Sequence, residues 1–402
     1  MSIRNSPSLL TGDAAHQILP TPSRPSGSFY RPELDVLRFF AFFSVFLGHA
    51  LAPLVPEGDT RRSPLFFLAS LARDTGGFGL CLFFLLSAYL ISELLLRERS
   101  RTGTVHLRAF YARRILRIWP LYFAMLGLGY LVGLVRPDTA WGIFRFVNYL
   151  LLVGNLYAAR HGFTANPAAP LWSVSVEEQF YLVWPSIVKR GAYWIAIASI
   201  AFIVVSFATI YILVTKGVSM QAVWVNSLVQ FQFFGIGALI ALWLQGRMPT
   251  LASPVRIAML LGAIFLWLTA NAVFDVSGIR GTEPAWQIMA GYGVVAIGCV
   301  LLCVGILGAP ASWFPKVIVY LGKISYGLYV FHMLALGLVR YVLRYAVKWP
   351  GLKSVGFWPL AGLEIVIALG LTMVLAHLSY VLFETPFLRM KERFTFVQSR
   401  AI

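Results

Sequence analysis

The chain has 402 residues, of which 59% are hydrophobic, 15% are aromatic and only 12% are charged. Soluble domains carry about 25% charged residues, so this chain has too little polar surface to cover a water-facing globule. Its net charge of +17 comes from basic residues that sit mainly in short loops between apolar runs, where Lys and Arg set membrane topology. The composition therefore excludes a soluble enzyme and a nucleic-acid binder, and it indicates a protein embedded in lipid.

Ten runs are long and apolar enough to cross a bilayer as helices, which takes about 20 residues each. An eleventh, shorter apolar segment at 141–154 is predicted to be interfacial or re-entrant. The sequence thus predicts an all-α, polytopic integral membrane protein with about ten transmembrane helices around an intramembrane cavity. The ten spans lie near residues 34–55, 77–96, 117–135, 171–188, 191–214, 222–245, 256–274, 286–308, 322–345 and 357–383.

The basic residues favour a topology with both termini in the cytoplasm, because Lys and Arg are concentrated in alternate loops. The first thirty residues are polar and rich in Ser and Pro, so we expect no cleavable signal peptide and a disordered cytoplasmic tail over 1–30. A transmembrane domain is predicted over 31–388 and a short cytoplasmic tail over 389–402. The weakest point of this topology is the last outer group of charges, which contains Arg340, Arg344, Lys348 and Lys353.

The first apolar run contains Arg38 and His49. An ionisable residue inside a membrane costs about 2.5 to 3.5 kcal/mol on the insertion scale, so both are functional candidates. They are eleven positions apart, which places them on one helix face about 16 Å apart. Asp35 precedes Arg38 by one turn and is predicted to pair with it. His49 is suited to take a proton from a hydroxyl; the alternative is a hydrogen-bonded histidine near a helix end.

Three arginines precede the third apolar run: Arg113, Arg114 and Arg117. Arg114 and Arg117 share a helix face, and Arg113 lies about one turn before Arg117. Planar guanidinium groups grip phosphate oxygens bidentately, so the cluster is a candidate phosphate clamp. The alternative is a positive-inside stop at the cytoplasmic mouth of a span, satisfied by lipid headgroups.

Two adjacent carboxylates, Glu177 and Glu178, open the fourth apolar run after Trp172 and Ser173. Glu177 and Tyr181 share a helix face at i, i+4. Acidic residues in a first helical turn also complement the helix dipole, which is the alternative to a role in an active site. Because Trp172, Glu177 and Tyr181 form an amphipathic cluster, we interpret the segment as part of a site.

Weaker signals lie on one face of the ninth run, at Ser325, Tyr326, Tyr329 and His332. Alone, each is more often a packing residue. The three cysteines lie in apolar runs and are interpreted as inert. No His, Cys, Asp or Glu set has metal-ligand spacing, so no metal is expected.

These blocks, in this order, resemble the membrane acyltransferase-3 family of multi-pass proteins that O-acylate glycans, lipopolysaccharide, Nod factors and macrolides. The resemblance covers nearly the whole chain, from about residue 30 to 388. Its most specific part is an arginine and a histidine separated by ten residues, which falls on Arg38 and His49. The other matching blocks are residues 79–90, the arginines Arg113, Arg114 and Arg117, the set Trp172, Ser173 and Glu177, residues 325–332 and residues 384–386.

The resemblance implies a stand-alone O-acyltransferase of the inner (cytoplasmic) membrane. Its donor would be acyl-CoA, expected to be acetyl-CoA, and its acceptor a hydroxyl of a glycan, glycolipid or macrolide. On this interpretation His49 deprotonates the acceptor. Arg38, oriented by Asp35, binds donor phosphate or stabilises developing charge, and Glu177 orients the imidazole or the acceptor.

The remaining residues of the resemblance are assigned to binding. Arg113, Arg114 and Arg117 would bind the phosphates of CoA, and Trp172, Ser173, Tyr181, Tyr326 and His332 would contact substrate.

Other functions stay open at this point. The main alternative is a transporter or flippase that uses the same buried Arg, His and Glu side chains, and a third is a purely structural scaffold. The identity of the acyl group, the oligomeric state and the formation of a covalent acyl-enzyme are also open.

Overall fold

A computed structural model describes residues 30–55, 63–276, 283–346 and 356–397. Within these ranges the regular structure is helical and no strand is present. The helices are α1 Pro32–Leu51, α2 Pro64–Gly76, α3 Phe78–Thr102, α4 Leu107–Val135, α5 Ile143–Leu150, α6 Gly154–His161, α7 Trp172–Arg190, α8 Ala192–Thr215, α9 Met220–Val225, α10 Ser227–Leu244, α11 Ser253–Ala272, α12 Ala285–Ile306, α13 Lys316–Lys323, α14 Ser325–Ala346, α15 Phe357–Leu378 and α16 Thr385–Glu392.

Nine stretches of the described helix are long and apolar enough to cross a membrane. They contain nine of the ten predicted spans, so the prediction of an all-helical polytopic membrane protein is confirmed. The remaining predicted span, at 171–188, forms α7, which is less apolar than the others because its first half carries Glu177 and Glu178. The segment at 141–154 forms α5 and the start of α6, both eight residues long and too short to cross a bilayer.

Helix α1, which carries Arg38 and His49, packs against five helices: α2, α3, α12, α13 and α14. Two glycines allow this close approach. A Cβ atom on Gly79 of α3 would overlap the carbonyl group of Ala41, and one on Gly322 of α13 would overlap the carbonyl oxygen of Asp35. Small residues let transmembrane helices pack backbone to backbone. The position of Asp35 is therefore defined by direct backbone packing.

Helix α7 is held between α3 and α10. The rings of Phe180 and Phe234 stack with centroids 4.4 Å apart, and Phe84 of α3 stacks on Phe234 at 4.9 Å. The indole Nε1 of Trp184 donates a hydrogen bond of 2.8 Å to the hydroxyl of Ser92 on α3. These contacts fix α7 beside α3, with the carboxylates of its first half turned toward the interior.

The C-terminal part of the chain returns to α4. A π-helical turn over Ser379–Glu384 links α15 to α16, and α16 packs against α4. The predicted domain boundary at residue 388 falls inside α16. Of the predicted tails, residues 1–29 and 398–402 lie outside the described residues, as do Lys348 and Lys353 of the last outer charge group.

Candidate active site

The first turns of α1 hold the predicted ion pair. Arg38 Nη1 lies 3.3 Å from Asp35 Oδ1, and the Asp35 carboxylate is fully buried. The hydroxyl of Tyr30 donates a second hydrogen bond to Asp35 at 3.1 Å. The predicted pairing of Arg38 with Asp35 is confirmed. Because Gly322 packs directly on the Asp35 backbone, the carboxylate that orients the guanidinium is fixed in space.

Glu177 faces Arg38 from α7. Its carboxylate accepts hydrogen bonds from the hydroxyl of Ser87 at 2.8 Å and from the hydroxyl of Tyr181 at 3.1 Å. Arg38 and Arg114 are its charged neighbours. The shared face of Glu177 and Tyr181 is confirmed as a direct contact. Ser87 was not predicted as a site residue; the signal for it was a small polar residue within the apolar run of α3.

The three arginines of α4 divide into two groups. The Arg114 guanidinium lies over the ring of Tyr181, with its Cζ 5.0 Å from the ring centroid. Arg117 has Arg38 and Arg114 as charged neighbours. Arg113 instead pairs with Glu98 of α3 at 2.8 Å. Arg114 and Arg117 therefore belong to one cluster with Arg38 and Glu177, while Arg113 lies at its edge and is partly neutralised.

His49 meets a second histidine at the opposite end of α1. It lies in the last turn of that helix with an exposed side chain, and its ring centroid is 5.2 Å from that of buried His332 on α14. His332 Nδ1 lies 2.5 Å from the backbone carbonyl oxygen of Tyr329. A carbonyl can only accept, so Nδ1 donates and Nε2 is left as the acceptor of a neutral ring. Among the described residues, buried His332 Nε2 has no hydrogen-bond partner.

Ser173 joins the histidine pair to α7. Its hydroxyl lies 2.6 Å from the Tyr329 hydroxyl, which also donates to the carbonyl of Pro170 at 3.1 Å. Since Ser173 and Glu177 are one turn apart on α7, this helix connects the histidine pair with the arginine cluster. The described hydrogen bonds of Glu177 go to Ser87 and Tyr181 and none goes to His49.

Two further predicted substrate contacts are half-buried Tyr326 and buried Trp172. The Tyr326 hydroxyl donates to the carbonyl of Ile118 on α4 at 2.9 Å, which ties α14 to α4 beside the arginine cluster. Trp172 is buried, and its ring lies 6.2 Å from that of Phe163. Their contact with a substrate stays a prediction.

Arg340 is a correction to the sequence analysis, which assigned it to an outer loop. It lies within α14 and donates from Nη2 to the backbone carbonyls of His49 and Ala50, at 3.1 and 2.9 Å. Its Nε pairs with Glu364 of α15 at 2.7 Å. The physical reason is that the end of α1 leaves carbonyls without intrahelical partners. Arg340 satisfies two of them and holds the backbone that carries His49.

Within the described ranges, no group of three or more His, Cys, Asp or Glu side chains could hold a metal ion. The side chains of this site are cations, carboxylates and imidazoles. At one end of α1, Arg38 lies with guanidinium groups of α4 that are able to bind an anion. At the other end, an accessible imidazole lies beside a second one.

The fold and this site define a polytopic, all-helical membrane protein with ionisable groups at both ends of a central helix. Residues 31–380 match the family model described as "Acyltransferase domain", the acyltransferase-3 family. Because the match covers most of the chain, the chain belongs to this family. No solved structure matches the chain.

Three similar proteins illustrate the family. "Nodulation protein 10" of Rhizobium leguminosarum bv. viciae is 26% identical over 92% of this chain and 96% of its own length. "Putative peptidoglycan O-acetyltransferase YrhL" of Bacillus subtilis (strain 168) is 27% identical over 89% of this chain and 55% of its own. A "Putative O-acetyltransferase" of Staphylococcus aureus (strain MSSA476) is 25% identical over 89% of this chain and 57% of its own. The chain thus spans little more than half the length of the last two relatives.

Proposed function

We propose that this protein is an O-acyltransferase that moves an acyl group, with acetyl as the first candidate, from acyl-CoA to a hydroxyl of a carbohydrate or glycosylated acceptor. Family membership and the names of the relatives support acyl transfer to oxygen. The single observation that carries the proposal is the placement of His49. It is exposed at one end of α1, beside the unsatisfied Nε2 of His332, while Arg38 lies at the other end in a cluster of guanidinium groups.

In this mechanism His49 takes the proton of the acceptor hydroxyl, and the oxygen attacks the thioester carbonyl carbon. The new C–O bond forms as the C–S bond breaks. The thiolate of CoA then leaves, and the proton stays on the imidazole. Arg38, held by Asp35, binds donor phosphate. It lies about 16 Å from His49 along α1, too far to contact the carbonyl oxygen attacked there. A covalent acyl-enzyme on the way to the product is the other route, and labelled protein analysed by mass spectrometry separates the two routes.

The arginine cluster is assigned to the donor. CoA carries several phosphate charges, and Arg114 and Arg117 have no ion pair to a carboxylate among the described side chains. Arg113 already pairs with Glu98 and would contribute less. We propose that the protein lies in the inner membrane with both termini in the cytoplasm, because of the distribution of Lys and Arg in its loops. The cluster then opens toward cytosolic acyl-CoA.

The experiment is acyl transfer by the purified protein in detergent, with radiolabelled acetyl-CoA and a soluble glycan acceptor. We expect a labelled ester from the wild type and a turnover lower by about 10² to 10⁴ in His49→Ala. His161→Ala is the matched control, because His161 is an exposed histidine on α6 far along the chain. Labelled product at near-normal rates from His49→Ala would reject the assignment of the base. A transporter with the same buried groups would yield no ester from either protein.

A further inference from the structure

The C-terminal helix α16 brings another cation to the arginine cluster. Lys391 has Arg117, Arg114 and Arg113 as electrostatic neighbours, and the adjacent Glu392 as an acidic one. The side chain of Lys391 is half-buried, whereas Glu392 is exposed. This arrangement follows from the π-helical turn before α16, which directs the helix back onto α4.

Two contacts fix this end of the chain against α3 and α4. Arg113 Nη1 donates to the backbone carbonyl of Phe394 at 2.6 Å. The ring of Phe396 stacks on that of His106, with centroids 4.3 Å apart and planes 20° from parallel. Arg113 therefore has a structural role, since it joins Glu98 of α3 to the segment after α16. The position of Lys391 results from specific packing.

The three remaining cations, Arg114, Arg117 and Lys391, form no direct ion pair with the carboxylates near them among the described residues. Glu177 accepts from Ser87 and Tyr181, Glu178 accepts from Trp119 Nε1 at 3.1 Å, and Glu384 accepts from the Ser379 hydroxyl at 3.0 Å. Each of these hydrogen bonds comes from a neutral donor. Within the described parts of the chain, the side-chain nitrogens of Arg114, Arg117 and Lys391 have no hydrogen-bond or ion-pair partner.

Half-buried cations that converge without direct ion pairs are costly unless an anion binds to them. Two guanidinium groups offer bidentate contacts to phosphate oxygens, and an ammonium group adds a mobile point charge. The chemistry that fits is a polyphosphate rather than a single carboxylate. Phosphates of CoA and phosphates of lipid headgroups share this chemistry.

We propose that Lys391 is a donor-binding residue and that α16 forms one wall of the phosphate site for acyl-CoA, opposite Arg114 and Arg117 of α4. This inference rests on the proposed function, which supplies the donor. It assigns a binding role to a helix that the sequence analysis divided between the membrane domain and a tail. The 3′-phosphate and the pyrophosphate of CoA are the groups that the three cations would contact.

The test measures binding without turnover, by equilibrium binding of radiolabelled CoA to the purified protein in detergent. Lys391→Gln should weaken CoA binding about tenfold or more, and Lys391→Arg should keep most of it, because the charge is retained. Arg389→Gln is the matched control, since Arg389 is an exposed cation on the same helix, and it should bind CoA as the wild type does. Elution of each variant as the wild-type species in size exclusion verifies folding.

The outcomes separate the two proposals. Equal CoA binding by wild type and Lys391→Gln, with ester formed by both, would overturn the role of Lys391 and leave the acyltransferase standing. Wild-type binding that depends on Lys391 without any ester product would overturn the proposed function and leave a CoA site. Repeating the binding with dephospho-CoA tells whether Lys391 faces the 3′-phosphate, in which case the tenfold difference disappears.

A second arm distinguishes lipid from CoA. Wild type and Lys391→Gln are reconstituted in nanodiscs of phosphatidylcholine alone or with phosphatidylglycerol, and retained phosphatidylglycerol is measured by mass spectrometry. Loss of bound phosphatidylglycerol in Lys391→Gln, with unchanged CoA binding, would assign the cluster to lipid headgroups and refute the donor site. Equal phosphatidylglycerol content with weakened CoA binding supports it.

Discussion

The guanidinium of Arg340 on α14 donates a hydrogen bond of 3.1 Å to the backbone carbonyl of His49. It donates another to Ala50 at 2.9 Å and pairs with the mostly buried carboxylate of Glu364 at 2.7 Å. Three helices, α1, α14 and α15, thus meet at one side chain. The backbone that carries the proposed base is held by a residue almost three hundred positions away.

Arg340→Ala should lower both thermal stability in detergent and acyl transfer. The substitution leaves Glu364 without its cation and two carbonyls at the end of α1 without a donor. Hydrogen bonds to a charged group contribute about 1.5 to 3 kcal/mol each. Arg340→Lys should recover part of both losses. Arg344→Ala, which removes an exposed arginine one turn later on the same helix, serves as the control. Stability and turnover equal to those of the control would contradict a positioning role.

His332→Ala should reduce turnover by about tenfold or more, because the buried imidazole beside His49 and its unsatisfied Nε2 are lost. Separate determination of kcat and of KM for the acceptor gives the reason for the loss. A fall in kcat at unchanged KM indicates that His332 assists the base, and a rise in KM alone indicates substrate binding. Tyr329→Phe, which removes the contact with the Ser173 hydroxyl, should have a smaller effect. Wild-type kinetics in His332→Ala would remove this histidine from the site.

Glu177→Gln should lower acyl transfer while the protein still folds, since the amide oxygen can accept from one of the Ser87 and Tyr181 hydroxyls and the amide nitrogen can donate to the other. What changes is the negative charge facing Arg38 and Arg114. Ser87→Ala removes one hydrogen bond of about 1 kcal/mol, which corresponds to a change of about fivefold. Glu392→Gln is the control, because Glu392 is exposed on α16. If Glu177→Gln turned over as fast as this control, the carboxylate would have a packing role only.

Gly322→Ala should destabilise the protein and lower activity, because the added Cβ would overlap the carbonyl oxygen of Asp35. Helix α13 must then move away from α1, and the carboxylate that orients Arg38 moves with it. Gly337→Ala on α14 is the control, since nothing lies within 4 Å of a Cβ at that position. Alanine is the better helix former by about 1 kcal/mol, so the control should be as stable as the wild type or more stable. Thermal unfolding of both variants in one detergent decides the comparison, and a stable, active Gly322→Ala would show that the close packing is dispensable.

Features that depend on neighbouring residues along the chain could be predicted from the amino-acid sequence. Apolar runs of about 20 residues marked nine of the spans, because hydropathy over one window is enough to recognise a membrane helix. The pairs Asp35 with Arg38 and Glu177 with Tyr181 follow from helical spacing alone, and the structure has both as direct contacts.

Which of these local features contact one another became visible from the packing of the helices. Ser87 reaches Glu177 across 90 positions, and Arg340 reaches the end of α1 across 291. The packing also gives different partners to two adjacent arginines of α4: Arg113 pairs with Glu98, and Arg114 lies over the ring of Tyr181. The physical reason is that helix spacing defines the direction of a side chain relative to its own axis. Which helix lies opposite is determined by packing between distant segments, here by glycines such as Gly322 that admit one neighbour at backbone distance.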